Sequence, residues 1–342
     1  MRSFLQPDFD FNGKAILVTG GTGSFGQKFI RALVERYSPS RVVIYSRDEL
    51  KQFEMAQVLN DRKYPFLRYF IGDVRDAERL EMAMSGIDYV VHAAALKHVP
   101  IAEYNPFECI HTNVIGAENV VRAAIRANVK KVIALSTDKA ANPINLYGAS
   151  KLASDKIFIA GNHLAGGHGP RFAIVRYGNV MGSRGSVVPF FLNLIKNGAD
   201  HLPITHEEMT RFWVTLEQGI NLVVSSFALM RGGEIFVPKI PSMKIVDLAK
   251  MLAPKLELRV IGIRPGEKLH EIMITEDDAV NTLEYEDRYV VRPAFSGWDS
   301  GPRPADGGKK VAARFSYASN TNDEWLKGGD FDGMLRATGI ST

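Results

Sequence analysis

Lys14-Ala15-Ile16-Leu17-Val18-Thr19-Gly20-Gly21-Thr22-Gly23-Ser24-Phe25-Gly26 is the stretch on which the fold turns. Its first half is an apolar run of strand character, and its second half is a loop with glycines at 20, 23 and 26. An amphipathic stretch over 27–36 follows, which reads as a helix. Small residues are needed where a backbone approaches a pyrophosphate and offers it helix N-terminal amides. Read alone, a glycine-rich loop is an ordinary tight turn. Placed after the first strand and before a helix, it reads as a dinucleotide-phosphate loop, with Gly20, Thr22, Gly23, Ser24, Phe25 and Gly26 as its contacts.

The pattern continues outward from this unit. Compact apolar runs at 14–19, 42–45, 67–71, 89–93, 131–136 and 172–176 alternate with amphipathic stretches, the mark of βαβ units. They predict an α/β fold, a Rossmann-like doubly wound sheet of six or seven parallel strands, with a smaller C-terminal substrate lobe. After Gly178 the alternation gives way to segments punctuated by Gly and Pro, around 182–189, 202–205 and 238–242. The chain therefore divides into a dinucleotide-binding and catalytic domain over 11–178 and a lobe over 179–294, some of whose segments return to the first domain. The Gly-, Asp- and Ser-rich residues 295–342 read as an irregular tail.

With 342 residues, 46% of them hydrophobic, the chain can bury a full core. Its 42 basic and 38 acidic residues are spread along the chain, which argues against nucleic acid and for a small anionic substrate. Cys109 is the only cysteine, so no intrachain disulfide forms and a reducing cytoplasm fits. Neither a leader-like N-terminus nor an apolar run of bilayer length is present, so export and membrane insertion are not expected. No His, Cys or carboxylate cluster has metal-ligand spacing, and no metal is expected.

The end of the second strand chooses the cofactor, because an acidic residue there bonds a free ribose hydroxyl and repels a 2′-phosphate. Ser46, Arg47 and Lys51 offer hydroxyl and cationic donors to a 2′-phosphate, so NADP is preferred over NAD. Asp48 or Glu49 would face the ribose instead if the strand ended one residue later. Asp73 and Val74 after the third strand, and Ala93, Ala94 and Ala95 after the fourth, fall where adenine-edge and pyrophosphate contacts sit in such a sheet.

Tyr147 and Lys151 lie one helical turn apart and so share a face. A lysine ammonium beside a phenol lowers the phenol pKa, which lets Tyr147 take a hydroxyl proton as hydride leaves, and both residues border the cofactor. Ten residues upstream of Tyr147, Thr137-Asp138-Lys139 ends a strand at the sheet edge where open α/β sheets bind ligands. Thr137 suits the reacting hydroxyl, and Asp138 and Lys139 set an acid and a potential base beside it.

Several segments carry a family resemblance: TGGTGSFG (19–26), YSRDELKQFEM (45–55), HAAALKHVPIAEYNP (92–106), STDKAANPINLYGASK (136–151), RYGNVMGSRGSVVPFF (176–191) and IRPGEKLHE (263–271). In these the chain resembles the inverting UDP-N-acetylglucosamine 4,6-dehydratases of the pseudaminic acid pathway, within the extended short-chain dehydrogenase/reductase superfamily. The resemblance implies that Tyr147 deprotonates the C4 hydroxyl, Lys139 abstracts H5 and Asp138 protonates the departing C6 hydroxyl, while hydride leaves C4 and returns to C6. It further implies reprotonation of C5 on the other face, giving the L-arabino 4-keto-6-deoxy sugar. For Lys139 to act as a base, burial or the Lys151 charge must leave it partly neutral.

Asn179 falls just after a core strand, where a side-chain amide holds a sugar or phosphate oxygen unless it is a plain turn residue. Lys97, Lys139 and Tyr147 are the other expected sugar contacts, and the resemblance places Thr210, Arg211, Arg264 and Glu267 at the nucleoside diphosphate. It implies a homo-oligomer, a dimer or hexamer, through helices around 105–127 and 146–161. UDP-N-acetylglucosamine is the expected partner. A UDP-sugar 4-epimerase needs the glycine loop and Tyr147/Lys151 but no Asp138 or Lys139. A C5-retaining dehydratase and a catalytically silent NADP-binding protein also compete, although in a silent protein an intact Thr137, Tyr147 and Lys151 would be unexplained.

Overall fold

A computed structural model describes residues 2–295 and 307–338. Six strands open the chain, β1 (Ala15–Thr19), β2 (Arg41–Ser46), β3 (Leu67–Ile71), β4 (Tyr89–His92), β5 (Lys131–Thr137) and β6 (Arg171–Tyr177). Later come β7 (Asn179–Val180), β8 (His201–Ile204), β9 (Thr210–Val214), β10 (Ile235–Pro238), β11 (Ser242–Lys244), β12 (Glu257–Val260), β13 (Ile272–Ile274), β14 (Thr282–Glu284), β15 (Arg288–Val291), β16 (Lys309–Lys310) and β17 (Tyr317–Ala318). The main sheet runs β16-β14-β15-β10-β6-β5-β4-β1-β2-β3.

From β3 to β6 the pairings are parallel, and β10 joins β6 as a seventh parallel strand. Strands β15, β14 and β16 then extend the edge antiparallel. Buried on both faces, the central strands are continuous apolar runs rather than alternating ones, and every residue of β1 is buried. The order reverses between β1 and β4, which opens a crevice at the carboxyl ends of the strands.

The chain after β6 builds a second hydrophobic core around Met181, Phe191, Leu202, Trp213, Met243 and Leu248. The helix Leu216–Leu229 leaves this lobe, starts in a Thr215/Gln218 capping box and packs against the helix Ser24–Arg36 of the main sheet. Among the described residues, no helix is long and apolar enough to cross a membrane.

The expectation of an irregular tail over 295–342 does not hold for residues 307–338, while 296–306 and 339–342 lie outside the described residues. Strand β16 adds to the main sheet, and β17 pairs with β13. The helix Gly328–Ala337 buries Phe331, Met334 and Leu335 in the lobe core. Sparse apolar residues made this region look irregular, yet these few fall at helical spacing and meet a ready surface. Phe331 is 1% exposed, so Phe331→Ala is expected to cost about 3–5 kcal/mol, read as a lower melting temperature.

Candidate active site

The glycine loop closes on the loop after β4. Gly20 has φ 64°, and a Cβ there would lie 2.8 Å from the Ala94 amide nitrogen. A Cβ on Gly26 would lie 2.6 Å from the carbonyls of Gly20 and Gly21. Both positions therefore need glycine on steric grounds. The amides of Ala93 and Ala94 rest on Thr19 Oγ1, at 3.2 and 3.3 Å. Gly23 caps the helix Ser24–Arg36 without a side-chain bond, which leaves its first-turn amides to an anion. These residues fit a dinucleotide pyrophosphate.

At the adenosine end, Asp48 caps the helix Glu49–Val58 by accepting from the Lys51 amide at 3.0 Å, and it also pairs with Lys51 Nζ. Asp48 is thus committed to the cap. Ser46 is buried and shares a 2.7 Å hydrogen bond with Thr22 Oγ1, so its hydroxyl supports the glycine loop. Arg47 stays exposed, 3.6 Å from Asp73 Oδ2. Asp73 also accepts from Arg75 at 2.8 Å, and Asn119 donates to the Val74 carbonyl at 3.0 Å.

The chemistry-bearing residues meet at the ends of β5 and β6. Asn145 caps the helix Leu146–Ala165 by accepting from the Gly148 amide at 2.7 Å, which sets Tyr147 in the first turn. Tyr147 is enclosed by Ala102, Cys109, Leu96, Val99 and Leu146. Burial outweighs the lowering by Lys139 and a Thr137 hydrogen bond and leaves its phenol pushed up to about 12. The expected cation was Lys151. That side chain, also buried, instead donates to the Leu135 carbonyl at 2.7 Å, and burial lowers its pKa.

Thr137 donates to Asp138 Oδ1 at 2.9 Å, and Lys139 Nζ donates to the same oxygen at 2.9 Å. Lys139 Nζ also lies 3.1 Å from Glu271 Oε1 and 3.5 Å from Asn179 Oδ1. The expectation of a partly neutral Lys139 is not met. Burial does favour the neutral amine, but Asp138 and Glu271 outweigh it and hold the ammonium well above its ordinary value. Asp138, wholly buried, has a raised pKa, first through burial and then through Glu271, with Lys139 opposing.

Glu271 is the residue that sequence reasoning missed. It closes the segment 263–271, but its role depends on contacts no spacing reveals. Ser319 Oγ accepts from the Glu271 amide at 2.9 Å, and the Ser319 amide donates to the Glu271 carbonyl at 2.8 Å. The tail beyond 307 thereby holds a carboxylate beneath the site.

The other lobe residues are placed differently from one another. Thr210 is buried, its hydroxyl 2.8 Å from His270 Nδ1 and 2.6 Å from Ser319 Oγ. Arg211, expected at the diphosphate, is 5% exposed and donates to the carbonyls of Thr210, Lys268 and Leu269, with Nε 3.6 Å from Glu271. Its guanidinium is spent inside the protein. Arg264 is exposed and pairs with both oxygens of Glu267 at 3.1 Å. Lys97 reaches across to the Arg184 carbonyl at 2.9 Å, tying the first domain to the loop at 182–186.

Residues 16–293 match the family model described as polysaccharide biosynthesis protein. A UDP-N-acetylglucosamine 4,6-dehydratase (inverting) of Campylobacter jejuni is 59% identical over 92% of this chain and 95% of its own. A UDP-glucose 4-epimerase of Rickettsia canadensis is 42% identical over 91% of this chain and 92% of its own. Among solved structures, Pen from Bacillus thuringiensis superposes with TM-score 0.87 at 34% identity, covering 96% of this chain and 99% of that one. The dTDP-glucose 4,6-dehydratase of Streptomyces venezuelae, solved with NAD and TYD bound, gives TM-score 0.67 at 26% identity over 75% of this chain and 86% of that one. Matched along nearly its whole length, the chain belongs to the polysaccharide biosynthesis protein family, in company with the inverting UDP-N-acetylglucosamine 4,6-dehydratases.

Proposed function

We propose that the protein is an NADP-dependent lyase that dehydrates UDP-N-acetylglucosamine across C5 and C6 with inversion at C5, opening a pseudaminic acid-type pathway in the cytoplasm. The observation that carries this reading is the Asp138/Lys139 pair, 2.9 Å apart, at the strand edge with Tyr147. A nucleotide-sugar with both an acid and a base at C5 and C6 can lose water. Bound NADP supplies the hydride acceptor at C4 and the hydride donor at C6.

Tyr147 takes the C4 hydroxyl proton in its phenolate form, which the neighbouring Lys139 ammonium and the Thr137 hydrogen bond favour against burial, and Thr137 orients that hydroxyl. The C4 ketone acidifies H5, Lys139 removes it, and Asp138 delivers a proton to the C6 oxygen, which leaves as water. For this Lys139 must first give up a proton, and Asp138 Oδ1 is its near acceptor. One transfer creates both the amine and the acid. Asn179 and Lys97 line the sugar side, and Arg264 with Glu267 offers charge and acceptors to the nucleoside diphosphate.

The 4-epimerase relative favours a second reading. Epimerisation at C4 has no step that uses a base at C5, so a buried lysine between two carboxylates would be unexplained. Exposed Tyr104 and Phe107 beside the helix Leu146–Ala165 support a homo-oligomer, since monomers seldom leave such aromatics on one face.

A proton NMR time course with NADP and UDP-N-acetylglucosamine in deuterated water tests the function. A 4-keto-6-deoxy sugar carrying deuterium at C5 is expected, with ring couplings in ordinary water reporting inversion. UDP-N-acetylgalactosamine as the product would replace the proposal with epimerisation.

The choice of NADP rests on Arg47, which stands exposed at the end of β2 while Asp48 is occupied by its cap. Arg47→Glu is expected to weaken NADP by about 1.5–3 kcal/mol, the value of a charge-assisted hydrogen bond, and to spare NAD. Titration of both cofactors by fluorescence checks it. Equal loss for both would remove Arg47 from the 2′-phosphate.

A further inference from the structure

Lys139, Asp138, Glu271 and Arg211 form a chain of two cations and two anions under the sugar site. Glu271 Oε1 sits 3.1 Å from Lys139 Nζ and 3.6 Å from Arg211 Nε. Its other oxygen, Oε2, is buried with no hydrogen-bond partner, and so is Asp138 Oδ2. A structural ion pair would satisfy its oxygens, because leaving one unmet in the interior costs free energy. Each of the two carboxylates flanking this one lysine thus keeps an oxygen that no protein group occupies, and the lysine has an acceptor on either side.

We propose that Glu271 is a positioning residue for C5 deprotonation: its carboxylate keeps Lys139 against Asp138 and, facing Arg211, balances the site's charge while a proton crosses between them. This rests on the dehydratase reading. The proton moves from Lys139 Nζ to Asp138 Oδ1, leaving an amine and a carboxylic acid, with Glu271 still anionic opposite the Arg211 cation. The amine then takes H5, the C5–H electrons form the C5–C6 double bond, and Asp138 protonates the leaving oxygen. Lys139 is again ammonium and Asp138 again carboxylate.

The anion of Glu271 favours protons on both neighbours. The groups facing it are Lys139 and Asp138 from the end of β5, Arg211 from β9, and Lys268 and Glu267 from its own segment. Lys268 Nζ is held 2.7 Å from the Ala141 carbonyl. Removing the Glu271 charge therefore lowers the proton affinity of Asp138 and Lys139 together, so both limbs of the pH–rate profile move to lower pH.

The test uses the full chain with NADP and UDP-N-acetylglucosamine, comparing wild type, Glu271→Gln and Glu271→Asp. In Glu271→Gln, kcat is expected to fall about tenfold or more, short of the ~10²–10⁴ of a lost acid–base group, while KM changes little. Both pH limbs shift acidward, and reduced cofactor accumulates because C4 oxidation outruns elimination. Glu271→Asp recovers part of the rate. A folded Glu271→Gln protein with the wild-type profile and no accumulation overturns the proposal. Should glutamine not be tolerated there, Ser319→Ala loosens Glu271 without removing its charge. It must then slow kcat with the same accumulation, and wild-type kinetics would sink the idea. If wild type itself forms no 4-keto-6-deoxy sugar, the dehydratase reading fails instead.

Discussion

Lys139→Met is expected to abolish the dehydratase product while the first redox step still takes place. Methionine matches the length and volume of the side chain but carries neither charge nor proton. With Tyr147 still in place the C4 hydroxyl is still oxidised, more slowly because the phenolate loses the Lys139 cation, so reduced cofactor should build up and then persist. Turnover should fall by about 10²–10⁴-fold, and no deuterium should enter C5. Retained exchange at C5 would show that another group is the base, and the role of Lys139 would then be lost.

The same substitution has a stability signature. Lys139 is the cation shared by two buried carboxylates, at 2.9 and 3.1 Å. Glu271 is held below its usual range because Lys139 and Arg211 outweigh its burial, and Asp138 is raised even with Lys139 present. Without the lysine Asp138 rises further and Glu271, left with Arg211 against its burial, rises from its lowered position. Asp138 then lies still further above its unfolded value and Glu271 loses its largest stabilising charge, so the native state binds more protons than before and stability falls as pH rises above the carboxylate range. The variant should lose up to about 3–5 kcal/mol at pH 8 and distinctly less at pH 5, as followed by thermal melts. An equal loss at both pH values would mean that the carboxylates do not depend on Lys139.

Tyr147→Phe is expected to stop the reaction one step earlier. The phenyl ring keeps the packing against Ala102, Cys109 and Leu146, so stability should change by no more than about 0.5–1.5 kcal/mol. The C4 proton then has no acceptor, and kcat should drop by ~10²–10⁴-fold with no transient reduced cofactor. That missing transient separates this variant from Lys139→Met. If reduced cofactor formed at the wild-type rate, the phenol would not be the base at C4.

Much of this site is legible in the sequence. The glycine loop, the parallel strands and the helix that aligns Tyr147 with Lys151 are set by local patterns, in which a periodicity or an obligatory glycine speaks for itself. Thr137-Asp138-Lys139 is legible because a strand end in this architecture is also a ligand edge. The observed strands differ from the expected ones by a residue at several ends, where fraying and turn geometry compete.

Protonation is not legible there. Neutralising Lys139 through burial or Lys151 is reasonable from spacing, but Glu271 arrives from 132 positions along the chain and reverses the balance. Arg211 looks like a free phosphate ligand until its donors are seen to be spent on the carbonyls of Thr210, Lys268 and Leu269. The tail looks irregular because two-residue strands have no periodicity of their own and exist only where a neighbouring strand completes their hydrogen bonds. What the sequence determined by itself is the scaffold and the local placing of the candidate site residues, since both depend on neighbours within a few residues. What the tertiary structure alone decided is which charges face each other, because Coulomb energy in a buried site depends on distances that only packing sets.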